Sequence, residues 1–319
     1  MTTPEVRTET AGGAERELAP PRPVTPRRAR RLSREVVETR VLGVLKWVMI
    51  AFFVAVTLFP FYYMVLLSLR TVENLALEPG LLWVSLKEVT FDTYRNVLRS
   101  TDDGGQGFLL FLRNSGLVAL SSVVVTLLVS ILGAYAISRL EFFGRRQVHA
   151  LFLAVYLFPA ILLAIPLFVF FTRIGLRGSL LGLVLVYASQ TVPVTIHMLR
   201  NYFETVPKSL EEAAAVDGYS RLQIIRRISL PLAKPAIMAT SLFVFMIAWN
   251  EFLFALLFLV DRRERWTVSL GLSQLAGSIE IPTTVLMAGA VILTLPIVVL
   301  FFLTERLLVE GLTSGAEKG

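Results

Sequence analysis

Six stretches of this chain, residues 44–68, 115–138, 148–172, 179–199, 236–260 and 284–307, are long runs dominated by Leu, Val, Ile, Phe and Ala. A run of about 20 apolar residues is what a helix needs to cross about 30 Å of hydrocarbon. In that solvent every backbone N–H and C=O must be satisfied within the chain, so helices are the expected spans. The runs lack the short alternation of a membrane barrel. The charged fraction is 17% and the hydrophobic fraction 55% of 319 residues, less charge than a soluble chain usually carries. The expected fold class is an all-α membrane protein with six transmembrane helices. The fourth run has the softest ends, because Gln190, Thr191 and Pro193 interrupt it.

The net charge of +7 does not point to nucleic acid, because the basic residues sit in a tail and in short loops beside the apolar runs, as the positive-inside rule requires. Residues 1–40 are rich in Pro, Arg, Glu and Thr and read as a disordered basic tail. Residues 41–319 form the transmembrane domain. The loop after run two carries Arg139, Arg145 and Arg146, and the loop after run four carries Arg200, Lys208, Arg221, Arg226, Arg227 and Lys234. Both loops and both termini are therefore expected in the cytoplasm. Arg262, Arg263 and Arg265, in the connection after run five, are a local exception. Cysteine is absent, and His149 and His197 lack ligand spacing, so no metal is expected.

The loop between runs four and five, residues 203–234, is polar and patterned. Ser209 and Glu212 have the spacing of a capping box, which predicts a helix start. Glu211 and Glu212 in its first turn complement the helix dipole, and Ala213, Ala214 and Ala215 propagate it. Asp217-Gly218 predicts a left-handed stop. Ser220 and Gln223 form a second capping box, with Leu222, Ile224, Ile225 and Ile228 as apolar contacts and Leu230-Pro231 as the end. Propensity alone leaves two readings, an amphipathic hairpin that links two spans or a helix–corner–helix presented to a partner.

The spacing from Glu212, Ala213 and Ala214 through Gly218 to Ile228, Leu230 and Pro231 resembles the cytoplasmic loop of permeases from binding-protein-dependent ATP-binding-cassette importers. The likeness covers about residues 42–319. It implies a type I ABC importer permease whose loop is a coupling helix, docked on an ATPase through Glu212, Ala213, Ala214, Asp217 and Gly218. Asn114-Ser115, the run from Gly133 to Ala136, the run from Trp249 to Phe252, and the C-terminal run Arg306 to Gly319 look like the carbohydrate-uptake branch, of the maltose-transporter type. The partners implied are a second homologous permease subunit, two ATPase subunits, an extracytoplasmic sugar-binding protein and membrane lipid. None of the five lysines follows a glycine, so the chain has no phosphate-binding loop of the Walker type. It is expected to be non-catalytic and to bind no cofactor, with ATP and Mg on the partner ATPases.

Polar residues inside spans face a cavity or a partner. Gln190, Trp249, Asn250 and Glu251 offer the stacking and hydrogen bonding that a sugar path needs. The same residues suit interhelical contacts. The loop pattern does not separate a sugar from another solute. An ion-coupled transporter would want paired buried carboxylates, of which Glu251 is the one candidate, and a membrane enzyme would want a nucleophile and base. The 261–283 connection is the expected contact for the external binding protein.

Overall fold

The computed structural model describes residues 29–316, with side chains over residues 38–305 apart from 149, 153 and 156. Of the expected tail, residues 1–28 lie outside the described residues, and the first helix takes in the remainder. The elements are α1 (Ala29–Ser68), α2 (Val72–Leu77), α3 (Asp92–Leu98), α4 (Phe108–Arg139), α5 (Arg145–Leu157), α6 (Ala160–Arg173), α7 (Leu180–Thr205), α8 (Lys208–Val216), α9 (Arg221–Ile224), α10 (Leu230–Leu232), α11 (Lys234–Asn250), α12 (Leu253–Leu259), α13 (Val268–Ala276) and α14 (Thr283–Ala316). A π-helical turn, Ile225–Ser229, joins α9 to α10. There is no strand among the described residues.

The chain divides into two units between Phe59 and Pro60, inside α1. The first is the helical stretch up to Phe59, and its apolar side chains from Val41 onward stay mostly exposed. The second holds every other helix.

Among the described residues four helices are long and apolar enough to cross a membrane: Glu38–Ser68, Phe108–Arg139, Leu180–Thr205 and Thr283–Glu305. Two of the six expected spans are not single helices. The third is α5 and α6, parted at Phe158 and Pro159. Phe158 is extended (φ −77°, ψ 127°), as the residue before a proline prefers. The fifth is α11 and α12, parted at Glu251, also extended (φ −64°, ψ 131°). A second bend, of 78°, separates the stretch Arg221–Leu232 from α11.

In the second unit α4 lies along α7 as its main partner. Ser122, Thr126, Ser130 and Ala134 give α4 a buried face of small side chains, which lets two helices approach closely where lipid supplies no hydrophobic drive. The Thr126 and Thr191 hydroxyls share a hydrogen bond at 3.0 Å, and Thr191 also donates to the Tyr187 carbonyl at 2.8 Å. The start of α4 is pinned to the α12–α13 connection. Asn114 Nδ2 donates to the carbonyls of Glu264 and Trp266, both at 3.0 Å, and Ser115 Oγ accepts from Val268 N–H at 2.8 Å.

Candidate functional site

The loop with the diagnostic spacing folds as two short helices around a corner, but its first helix starts two residues earlier than Ser209 and Glu212 suggest. Pro207 holds the N-cap position of α8, no side chain caps it, and the Ser209–Glu212 box does not form. The shift puts Glu211 rather than Glu212 on the inner face, together with Ala214 three residues on. Glu211 is 9% exposed and Ala214 5%.

The Glu211 carboxylate is the centre of this end of the molecule. Its Oε1 accepts from Arg139 Nε at 3.0 Å and from Ser229 Oγ at 3.1 Å, and its Oε2 accepts from the Tyr135 hydroxyl at 3.1 Å. Arg139 Nη2 donates to the Val206 carbonyl at 2.9 Å. One side chain therefore ties α8 to the last turn of α4 and to the π-helical turn. A buried charge is tolerated only when paired and hydrogen-bonded, and both groups meet that condition. Residue spacing gave no sign of this role, because Glu211 and Glu212 are equivalent first-turn acids until the helix phase is known. Arg139, closing a long apolar run, was the one available signal.

The corner follows the expected chemistry. Asp217 and Tyr219 N–H donate to the carbonyls of Ala213 and Ala214, each at 3.0 Å, and Gly218 sits at φ +83°. That conformation is open to glycine without the penalty a Cβ brings. The second capping box forms, with Ser220 N–H donating to Gln223 Oε1 at 2.7 Å. Ile224 and Ile225 are buried, whereas Leu222 turns outward. The exposed surface of the corner comprises Glu212, Ala213, Asp217 and Gly218 with Val216 at 88% and Leu222 at 70% exposure. Four of the five expected coupling residues face outward. Ala214 is packed inside the chain.

The polar residues of the spans separate into two groups. Gln190, with Ser189, lines a cavity of about 470 Å³ where the α5–α6 break faces α7 and α11, walled by Phe158, Leu163, Phe243 and Phe254. The Gln190 amide nitrogen is buried there and has no hydrogen-bond partner among the described residues. Trp249 and Glu251 lie elsewhere. Trp249 is 4% exposed, donates from Nε1 to the Leu293 carbonyl of α14 at 2.9 Å and stacks on Phe245 at 5.3 Å. Glu251 accepts from the Tyr187 hydroxyl at 2.5 Å and from Phe254 and Ala255 N–H at 2.9 and 3.3 Å, while its carbonyl accepts from Ser269 at 2.7 Å. From the position before the N-cap residue Phe252 its side chain thus caps the start of α12, and the residue ties α7 to α13. Asn250 is exposed, with Nδ2 donating to the Met246 carbonyl at 3.0 Å.

At the opposite end from the corner, a cavity of about 980 Å³ opens between Ser100–Arg113 and the turn at Arg263 and Glu264. The 261–283 connection is largely folded inward through α13. Its exposed parts are residues 261–264, the tip at residues 276–280, and Thr283.

The model of the family "Binding-protein-dependent transport system inner membrane component" matches residues 126–313. The inner membrane ABC transporter permease protein YcjP of Escherichia coli (strain K12) is 38% identical over 85% of this chain and 94% of its own length. The trehalose/maltose transport system permease protein MalG of Thermococcus litoralis is 38% identical over 90% of this chain and 99% of its own length. Among solved structures, a chain of a bacterial ABC transporter involved in import of the acidic polysaccharide alginate superposes with a TM-score of 0.74 at 24% identity, covering 84% of this chain and 97% of that one. That last likeness concerns the fold.

Proposed function

We propose that this chain, which belongs to the family of binding-protein-dependent transport system inner membrane components, is the permease subunit that moves a carbohydrate across the cytoplasmic membrane while separate subunits hydrolyse ATP. The observation that carries the coupling role is the exposed corner around Gly218. A rigid helix–turn–helix, held from within by Glu211, presents Glu212, Ala213, Val216, Asp217, Gly218 and Leu222 outward. An ATPase that grips this corner differently in its open and closed states biases the spans between two arrangements, since only differential binding shifts such an equilibrium.

The carbohydrate reading is supported by the transport of trehalose and maltose named for the Thermococcus relative and by the cavity beside Gln190. Its aromatic walls and single unpartnered amide have the chemistry for a sugar face and hydroxyl. Gln190 and the exposed Asn250 are assigned to the path, and Trp249 and Glu251 to the frame that shapes it. The external cavity and the exposed tip at 276–280 are assigned to the sugar-binding protein. Both termini are assigned to the cytoplasm, a second permease subunit completes the pathway, and ATP and Mg belong to the ATPase subunits.

The test is affinity purification from native membranes in mild detergent, followed by uptake in reconstituted vesicles. Two ATPase subunits and one further permease should co-purify, and uptake should need ATP and survive an uncoupler. A chain that purifies alone and transports on an ion gradient would refute the assignment.

A further inference from the structure

We propose that a cleft formed by Arg145, Arg146 and Arg200, beside the corner, holds the phosphate of an anionic membrane lipid. The cleft has a volume of about 440 Å³ and is lined by Ile137, Phe142, Gly144, Gln147 and the three arginines, the last of which come from α5 and α7. Arg200 pairs with Glu204 at 2.7 Å. Among the described residues neither Arg145 nor Arg146 makes an ion pair, and Glu141 in the same connection pairs with neither.

The placement of these charges runs against the helix they open. α5 begins at Arg145, has no acidic residue in its first turn and no side-chain cap on Gly144. Two cations therefore sit at the positive end of a helix dipole, next to N–H groups with no side-chain acceptor. Among the described residues no carboxylate forms an ion pair with either cation. An outside anion would offset that arrangement, and arginine's planar fork suits a phosphate better than a point charge does.

The cleft also sits where a lipid headgroup would be. Arg139, two residues beyond Ile137, bonds the coupling helix, so the cleft lies at the membrane-surface end that carries the corner. Phe143 projects fully exposed next to it and Phe142 is partly exposed, which places aromatic rings beside cationic ones, as at an apolar–polar boundary. A lipid seated here would bridge α5 and α7 alongside the coupling helix.

The test is native mass spectrometry of the chain purified with its partner subunits, titrated with phosphatidylglycerol or phosphatidylcholine. Phosphatidylglycerol should be retained in preference. Taking about fivefold per arginine near an anionic surface, Arg145→Gln with Arg146→Gln should weaken retention about 25-fold. Arg200→Gln, which leaves the connection's topology signal untouched, should weaken it about fivefold. Arg173→Gln, at the far end of α6, should have no effect. Equal retention of phosphatidylcholine, an equal loss in the Arg173 variant, or displacement of the lipid by millimolar inorganic phosphate would each overturn the assignment.

Discussion

At Gly218 a Cβ would meet no atom within 4 Å, so a substitution there is penalised by its backbone rather than by crowding. A non-glycine residue held at φ +83° costs about 1–3 kcal/mol, most for a β-branched one. Gly218→Val is expected to abolish ATP-dependent uptake while membrane insertion stays normal, and Gly218→Asn, which tolerates the left-handed region, to retain part of it. Parallel uptake and membrane-fraction blots check both. The two neighbouring acids should behave oppositely. Glu211→Ala strands the buried Arg139 guanidinium, a loss of about 3–5 kcal/mol, and should lower the thermal midpoint of the purified complex by several degrees. Glu212→Ala, on the exposed face, should leave that midpoint unchanged and weaken ATPase binding. Sequence spacing located the corner but chose the outer acid for the cap. Helix phase turns by about 100° for each residue, so the two-residue shift in the start changes which face is buried, and adjacent acids look alike until that phase is known.

At the scale of elements, the two broken spans show why long apolar runs are an incomplete guide. The α5–α6 break is written locally in Pro159. The α11–α12 break is not, because it depends on Glu251 finding the N–H groups of Phe254 and Ala255 and the hydroxyl of Tyr187, 64 residues away. Glu251→Ala would remove a cap worth about 0.5–2 kcal/mol and leave the Tyr187 hydroxyl unsatisfied at about 1–3 kcal/mol. The expected outcome is a lower thermal midpoint with an unchanged KM for uptake. Gln190→Ala should do the reverse, raising KM several-fold with no change in midpoint, since its amide nitrogen bonds nothing among the described residues. Measured side by side, the two variants separate a residue that shapes the path from one that lines it. As residue types in a span the two were indistinguishable, and their partners tell them apart.

At the scale of the whole molecule, the corner leaves apolar surface for the proposed ATPase to bury. Val216 and Leu222 stand exposed at the corner, each able to contribute about 1.5–3 kcal/mol if a partner buries it. Val216→Asp with Leu222→Asp should therefore cut ATPase recovery in co-purification more than tenfold while the second permease subunit still co-purifies. An equal loss of both partners would mean that the variant had unfolded rather than undocked.

The sequence alone determined a helical membrane protein, the number of its apolar runs, the glycine corner, and the likeness to importer permeases, because these depend on local composition and on spacing within about thirty residues. Tertiary structure decided which acid is buried, which spans break, and which polar span residues meet a cavity. Those outcomes depend on contacts between residues tens of positions apart, such as Arg139 with Glu211 and Tyr187 with Glu251. A buried polar group is satisfied by whatever the fold brings to it, and only the packed chain specifies that partner.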